Sequence, residues 1–189
     1  MPHVLLLHSV LGLRPGVTAL AARLSAAGHP VVAPDLYGGR ATADVDEGFA
    51  IREAIGGDEI MRRAREAARA LPDDAVLAGI SMGAGVAGDL WAERPGARGV
   101  LFLSGPGPIP DPRPSAAPVQ MHMARPDPFD DEAFVAEWAA APNAGALTVH
   151  RYDGAGHNFL DEGGPDWDAQ AAALCEARVR AFLDGLGAG

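Results

Sequence analysis

Residues 3–8 (HVLLLH) form an unbroken apolar run of strand length, and from Arg14 to Ala27 the apolar residues Val17, Leu20, Ala21 and Leu24 fall at helical spacing. Gly28 ends that helix, and residues 30–34 (PVVAP) make a second short run. After a glycine-rich stretch, Asp58 is placed to cap a helix whose Ile60, Met61, Ala64, Ala67, Ala68 and Leu71 share one apolar face. Residues 75–80, 99–103, 119–123 and 146–152 read as further strands, and residues 82–92, 129–140 and 167–186 as helices. Strands that alternate with helices, and are apolar throughout instead of at every second position, indicate a parallel sheet covered on both faces. The expected fold class is α/β: one domain over residues 1–189, with about six mostly parallel strands and helices on both faces. Residues 104–118 hold six prolines and suit a stiff loop at a sheet edge.

Composition narrows the partners. The 189 residues, 48% of them hydrophobic and 21% charged, suit one folded core. A formal charge of −10 repels phosphate backbones and anionic lipid headgroups, so neither nucleic acid nor a membrane surface is an expected partner. Cys175 is the single cysteine and has no intramolecular disulfide partner. The N-terminal run is too short for a signal peptide and no positive residue precedes it, which makes the cytoplasm the expected location.

In parallel sheets the ligand site lies beyond the carboxyl ends of the strands. After the third strand stands Gly79-Ile80-Ser81-Met82-Gly83, the G-x-S-x-G pattern of a sharp strand-to-helix turn that exposes a serine hydroxyl. The same residues also suit a plain helix cap with glycines for close packing. A serine hydroxyl is a weak nucleophile and needs a base and a group to orient that base. His157, in the glycine-bearing loop after the last strand, is the candidate base, and Asp127, after the fifth strand, is the candidate acid. Asp127 equally suits a helix N-cap, and Asp130, Asp131 and Glu132 leave the acid open by a few residues. The chain order Ser81, Asp127, His157 is that of α/β-hydrolase triads. An oxyanion hole takes one backbone N–H from the residue after the nucleophile and one from the loop after the first strand, here Met82 and Val10. Ser9, Leu11, Tyr37, Arg40 and Phe159 are candidate pocket residues, with Phe49 in a segment suited to a lid or wall.

Taken in order, His8 to Leu13 (HSVLGL), Pro34 to Tyr37 (PDLY), the serine turn, Asp127 to Phe129 (DPF) and Tyr152 to Phe159 (YDGAGHNF) resemble the dienelactone hydrolase family through nearly the whole chain. The resemblance implies an α/β-hydrolase sheet, hydrolysis of an ester or lactone, no metal, and Ser81, Asp127 and His157 as triad. The pattern departs from the family in three places. Serine stands at 81 where the family has cysteine, Ser9 stands where it has glutamate, and no arginine follows His157 closely. The expected sheet begins at the strand over residues 3–8 and lacks the family's N-terminal antiparallel hairpin.

Other polar residues read as structural. His122 suits a core position, His150 a sheet edge, and Arg62, Arg63, Arg65 and Arg69 a solvated helix face with interleaved Glu59 and Glu66. Cys175 adjoins the apolar face of the last helix and has no catalytic role. The expected activity is metal- and cofactor-independent serine hydrolysis of a small-molecule ester or lactone. Acyl transfer or peroxyacid formation on the same acyl-enzyme is the enzymatic alternative, and a ligand-binding module without turnover is the alternative of another class. Pocket shape rests on residues 35–57 and 104–118.

Overall fold

The computed structural model describes residues 1–108, 110, 115–129, 133, 135, 136, 140 and 147–187. Within them the elements run β1 (Val4–Leu7), α1 (Pro15–Ala26), β2 (Val31–Val32), α2 (Val45–Ile55), α3 (Gly57–Arg69), β3 (Val76–Ile80), α4 (Met82–Glu93), β4 (Val100–Leu103), β5 (Val119–Arg125), β6 (Leu147–Asp153) and α5 (Ala169–Gly187). The six strands form one sheet in the order β2-β1-β3-β4-β5-β6, and every pairing is parallel.

Successive strand residues point to opposite faces, and here both faces are core. Leu5, Leu7, Leu77, Val100 and Phe102 face α3 and α4 with Ile60, Ala64, Leu90 and Trp91. Val4, Leu6, Val76, Ala78, Leu101 and Leu103 face α1 and α5 with Leu20, Leu24, Val179 and Leu183. Two-sided burial explains why β1, β3 and β4 carry no polar alternation.

Two expectations change. Gly56, with φ +84°, caps α3, and Asp58 lies in its first turn instead. The glycine-rich stretch before it, for which the sequence pattern predicts no element, holds α2, capped by the Asp44 carboxylate, which accepts a 2.8 Å hydrogen bond from the Glu47 N–H. Gly48 is the one buried residue of α2, so no core-facing stripe announces this helix. Most of the helix expected over residues 129–140 lies outside the described residues, as do Asp130, Asp131 and Glu132. Among the described residues, no helix is long and apolar enough to cross a membrane.

The chain moves outward from β1 to β2 and then returns to the other side of β1 with β3. A crevice forms at the carboxyl ends where the order reverses, and loops after β1 and β3 meet there.

Candidate active site

At the end of β3 the chain must reverse into α4 within one residue, and Ser81 takes the strain with φ 51° and ψ −111°. A left-handed backbone costs a non-glycine residue roughly 1–3 kcal/mol and persists only where its surroundings hold it. The Ser81 N–H donates to the Leu103 carbonyl at 2.7 Å, which ties the turn to β4. The flanking glycines are sterically required. A Cβ on Gly79 would lie 1.9 Å from the Gly83 carbonyl oxygen, and one on Gly83 would lie 2.3 Å from that of Leu7.

The loop after β6 carries His157 back to this turn, where its Nε2 lies 2.9 Å from Ser81 Oγ. On the other side of the ring, Nδ1 lies 2.8 Å from both carboxylate oxygens of Asp127. A carboxylate only accepts, so the ring hydrogen sits on Nδ1 and Nε2 is left to accept the Ser81 hydroxyl hydrogen. The Asp127 side chain is 1% exposed and also accepts from the Phe129 N–H at 3.0 Å, so it orients the imidazole and closes its own turn together. The Phe129 ring packs against the imidazole with centroids 4.6 Å apart.

The loop after β1 is set by His8. The Leu36 N–H can only donate, here to His8 Nε2 at 3.0 Å, so Nδ1–H donates to the Ser9 carbonyl at 2.8 Å. Burial lowers the pKa of His8 and keeps this neutral tautomer, against weaker opposing effects of the Ser9 hydrogen bond and Asp35. Gly12, at φ +86°, turns the loop so that its N–H also donates to Ser9 O at 3.1 Å. Among the described residues, the backbone N–H groups of Val10 and Met82 are taken up by no other hydrogen bond. Both residues line one cavity with Ser81 and His157.

That cavity has a volume of about 370 Å³. Its walls come from Val45, Phe49 and Arg52 of α2, from Gly85, from Ser104 to Pro106, and from Phe129 and Asn158. None of the five expected pocket residues lines it. Leu11 and Phe159 are in the core, and Tyr37 is buried with its hydroxyl donating to Met82 Sδ at 3.2 Å. Ser9 Oγ accepts from the Leu11 N–H at 3.2 Å, and Arg40 is exposed. Helix α2 supplies a wall instead, through Val45, Phe49 and Arg52. Its sequence signal was Asp44 three residues before Glu47, a helix-start spacing.

Just after β4, Ser104 adopts φ 54° and is fully buried, and among the described residues its hydroxyl has no hydrogen-bond partner. No arginine follows His157 closely; four residues on, Asp161 supplies a carboxylate. It pairs with Arg14 at 2.7 Å and so ties the histidine loop to the start of α1. Among the described residues no group of three or more His, Cys, Asp or Glu side chains is placed to hold a metal ion.

The family model for the dienelactone hydrolase family matches residues 1–186. No curated protein sequence matches the chain. Among solved structures, a dienelactone hydrolase-like promiscuous phosphotriesterase from metagenomic libraries superposes with a TM-score of 0.78 at 18% identity, over 98% of this chain and 87% of that one. An α/β-superfamily hydrolase structure from Xanthomonas campestris pv. campestris gives 0.67 at 23% identity, over 98% and 99%. The thioesterase domain from the curacin biosynthetic pathway gives 0.66 at 16% identity, over 94% and 90%. At these identities the structural likeness speaks for the α/β-hydrolase fold.

Proposed function

The chain belongs to the dienelactone hydrolase family and is a hydrolase acting on esters, and from that premise we propose that it cleaves an ester or lactone through a serine acyl-enzyme. Ser81 Oγ attacks the carbonyl carbon while His157 Nε2 takes the hydroxyl proton. Asp127 holds the imidazole in the right tautomer and stabilises the imidazolium that forms. The tetrahedral oxyanion accepts hydrogen bonds from the Val10 and Met82 N–H groups. Collapse expels the alkoxide, which leaves as the alcohol with the proton from His157. Water then attacks the acyl-enzyme by the same route and frees the acid and Ser81. For a lactone, both products are one hydroxy acid.

The observation that carries this reading is the unbroken line from Ser81 Oγ through the His157 ring to Asp127, with contacts of 2.9 and 2.8 Å. The cavity beside it supports a small-molecule substrate with an apolar body, since Val10, Val45, Phe49, Met82, Pro106 and Phe129 line it. Arg52 adds a cation to the α2 wall, which favours substrates with a negative group at that end. Ser81→Ala is expected to lower kcat on an activated ester by roughly 10⁴-fold or more. Turnover by this variant within tenfold of the parent would contradict the role given to Ser81.

A further inference from the structure

Helix α4 has glycines at 83, 85 and 88, and close packing accounts for two of them. A Cβ on Gly83 would lie 2.3 Å from the Leu7 carbonyl oxygen, and one on Gly88 would lie 2.4 Å from that of Pro108. At Gly85 the same atom would meet nothing within 4 Å, and the backbone there is not left-handed. Glycine inside a helix is less stable than alanine, because it gives up more backbone freedom on folding. Neither packing nor backbone geometry therefore requires glycine at 85. What does lie against it is the substrate cavity, which Gly85 lines together with Ser81 and Met82. Positions 82 and 85 are three apart and so share a helix face.

We infer that Gly85 sets the depth of the cavity: its missing side chain leaves room beside the nucleophile for one limb of the ester, several carbons long. This rests on the reading of Ser81 as nucleophile and adds the feature that selects among its substrates. A side chain at 85 occupies that room without touching the reacting groups. Its effect then falls on substrates long enough to reach it. Losing room for even one methylene in an apolar pocket shifts discrimination by about 10-fold to 200-fold.

The test compares the parent protein with Gly85→Ala and Gly85→Val on two ester series. One series lengthens the acyl limb, from p-nitrophenyl acetate to octanoate; the other lengthens the alcohol limb, from methyl to octyl acetate. In one series the ratio of kcat/KM for the best long ester to that for the shortest member is expected to fall about tenfold or more in Gly85→Val. Gly85→Ala should show a smaller fall and a Tm equal to or above the parent's. If Gly85→Val does not fold, the ratio in Gly85→Ala decides. Unchanged ratios in both series, a parent profile confined to the shortest ester of each series, or a lowered Tm in Gly85→Ala would each overturn the inference. The nucleophile is checked separately by phosphonate modification of the parent protein. If Ser81 is modified and the ratios do not move, the role of Gly85 alone fails; if Ser81 is not modified, the serine reading fails with it.

Discussion

Two histidines in this molecule stand in arrangements of the same outline, and they differ in what surrounds them. His157 has the Ser81 hydroxyl at 2.9 Å on one ring nitrogen and Asp127 at 2.8 Å on the other. His122 has the Tyr152 hydroxyl at 2.7 Å and Cys175 Sγ at 3.3 Å on Nδ1, and Gln120 Oε1 at 2.9 Å on Nε2. The second set thus contains a nucleophilic atom, an imidazole and an orienting oxygen, yet its partner is a neutral amide and His122 is fully buried. Burial, with smaller effects of His150 and Arg178, pushes the His122 pKa down to about 3, and burial pushes the Cys175 thiol up to about 12. At neutral pH this thiol stays protonated and this ring uncharged, so the group is a hydrogen-bonded brace between β5, β6 and α5. A nucleophile beside a histidine needs an open approach to react, and a charged orienting partner further stabilises the imidazolium that forms when the ring takes the proton. The His157 site has both, in Asp127 and in the cavity.

The largest effect expected from breaking this contrast comes from Asp127→Asn, which gives His157 the kind of neutral partner that His122 has. An amide allows the wrong ring tautomer, and kcat on an activated ester should fall by roughly 10⁴-fold, with KM changing far less. A loss of less than tenfold in steady-state assays would mean that the carboxylate does not distinguish the two sites.

Next comes the cost of keeping His122 neutral. Its pKa is near 6.5 in the unfolded chain and about 3 in the folded one. Between these values the unfolded chain binds the extra proton, so stability is complete above pH 6.5 and declines as pH falls. His8, also lowered by burial, adds a decline of the same sign. Urea unfolding between pH 6.5 and 5 should show stability falling, with the His122 contribution approaching about 1.4 kcal/mol per pH unit. Stability independent of pH across this window would show that neither ring is held neutral. The smallest effect belongs to Cys175→Ala, expected to leave kcat/KM for an activated ester within about threefold of the parent. A loss comparable to that of Asp127→Asn would make the brace part of the chemistry.

The parts legible in sequence were those fixed by local pattern. Two-sided apolar runs gave the strands, and Gly79 and Gly83 marked a turn that only glycines allow around Ser81. Ser81, Asp127 and His157 stand after β3, β5 and β6, as their places in the chain led one to expect, and their side chains meet there. Phe49 and the two segments around residues 35–57 and 104–118 were legible as cavity wall, but the helix that presents Val45 and Phe49 was not, because α2 buries only Gly48. Tyr37 and Phe159 misled for the opposite reason: large aromatics near the motifs were needed by the core. That the Ser104 hydroxyl finds no partner among the described residues depends on how β4 ends against neighbouring loops, which no local pattern encodes.

The contrast between the two histidine sites is tested most directly by treating the intact protein with an activated fluorophosphonate and locating the adduct by peptide mass mapping. One adduct per chain is expected, on the Ser81 hydroxyl and absent from Ser81→Ala, with Cys175 unmodified. Modification at another residue, or undiminished modification of Ser81→Ala, would contradict the assignment of Ser81 as the nucleophile.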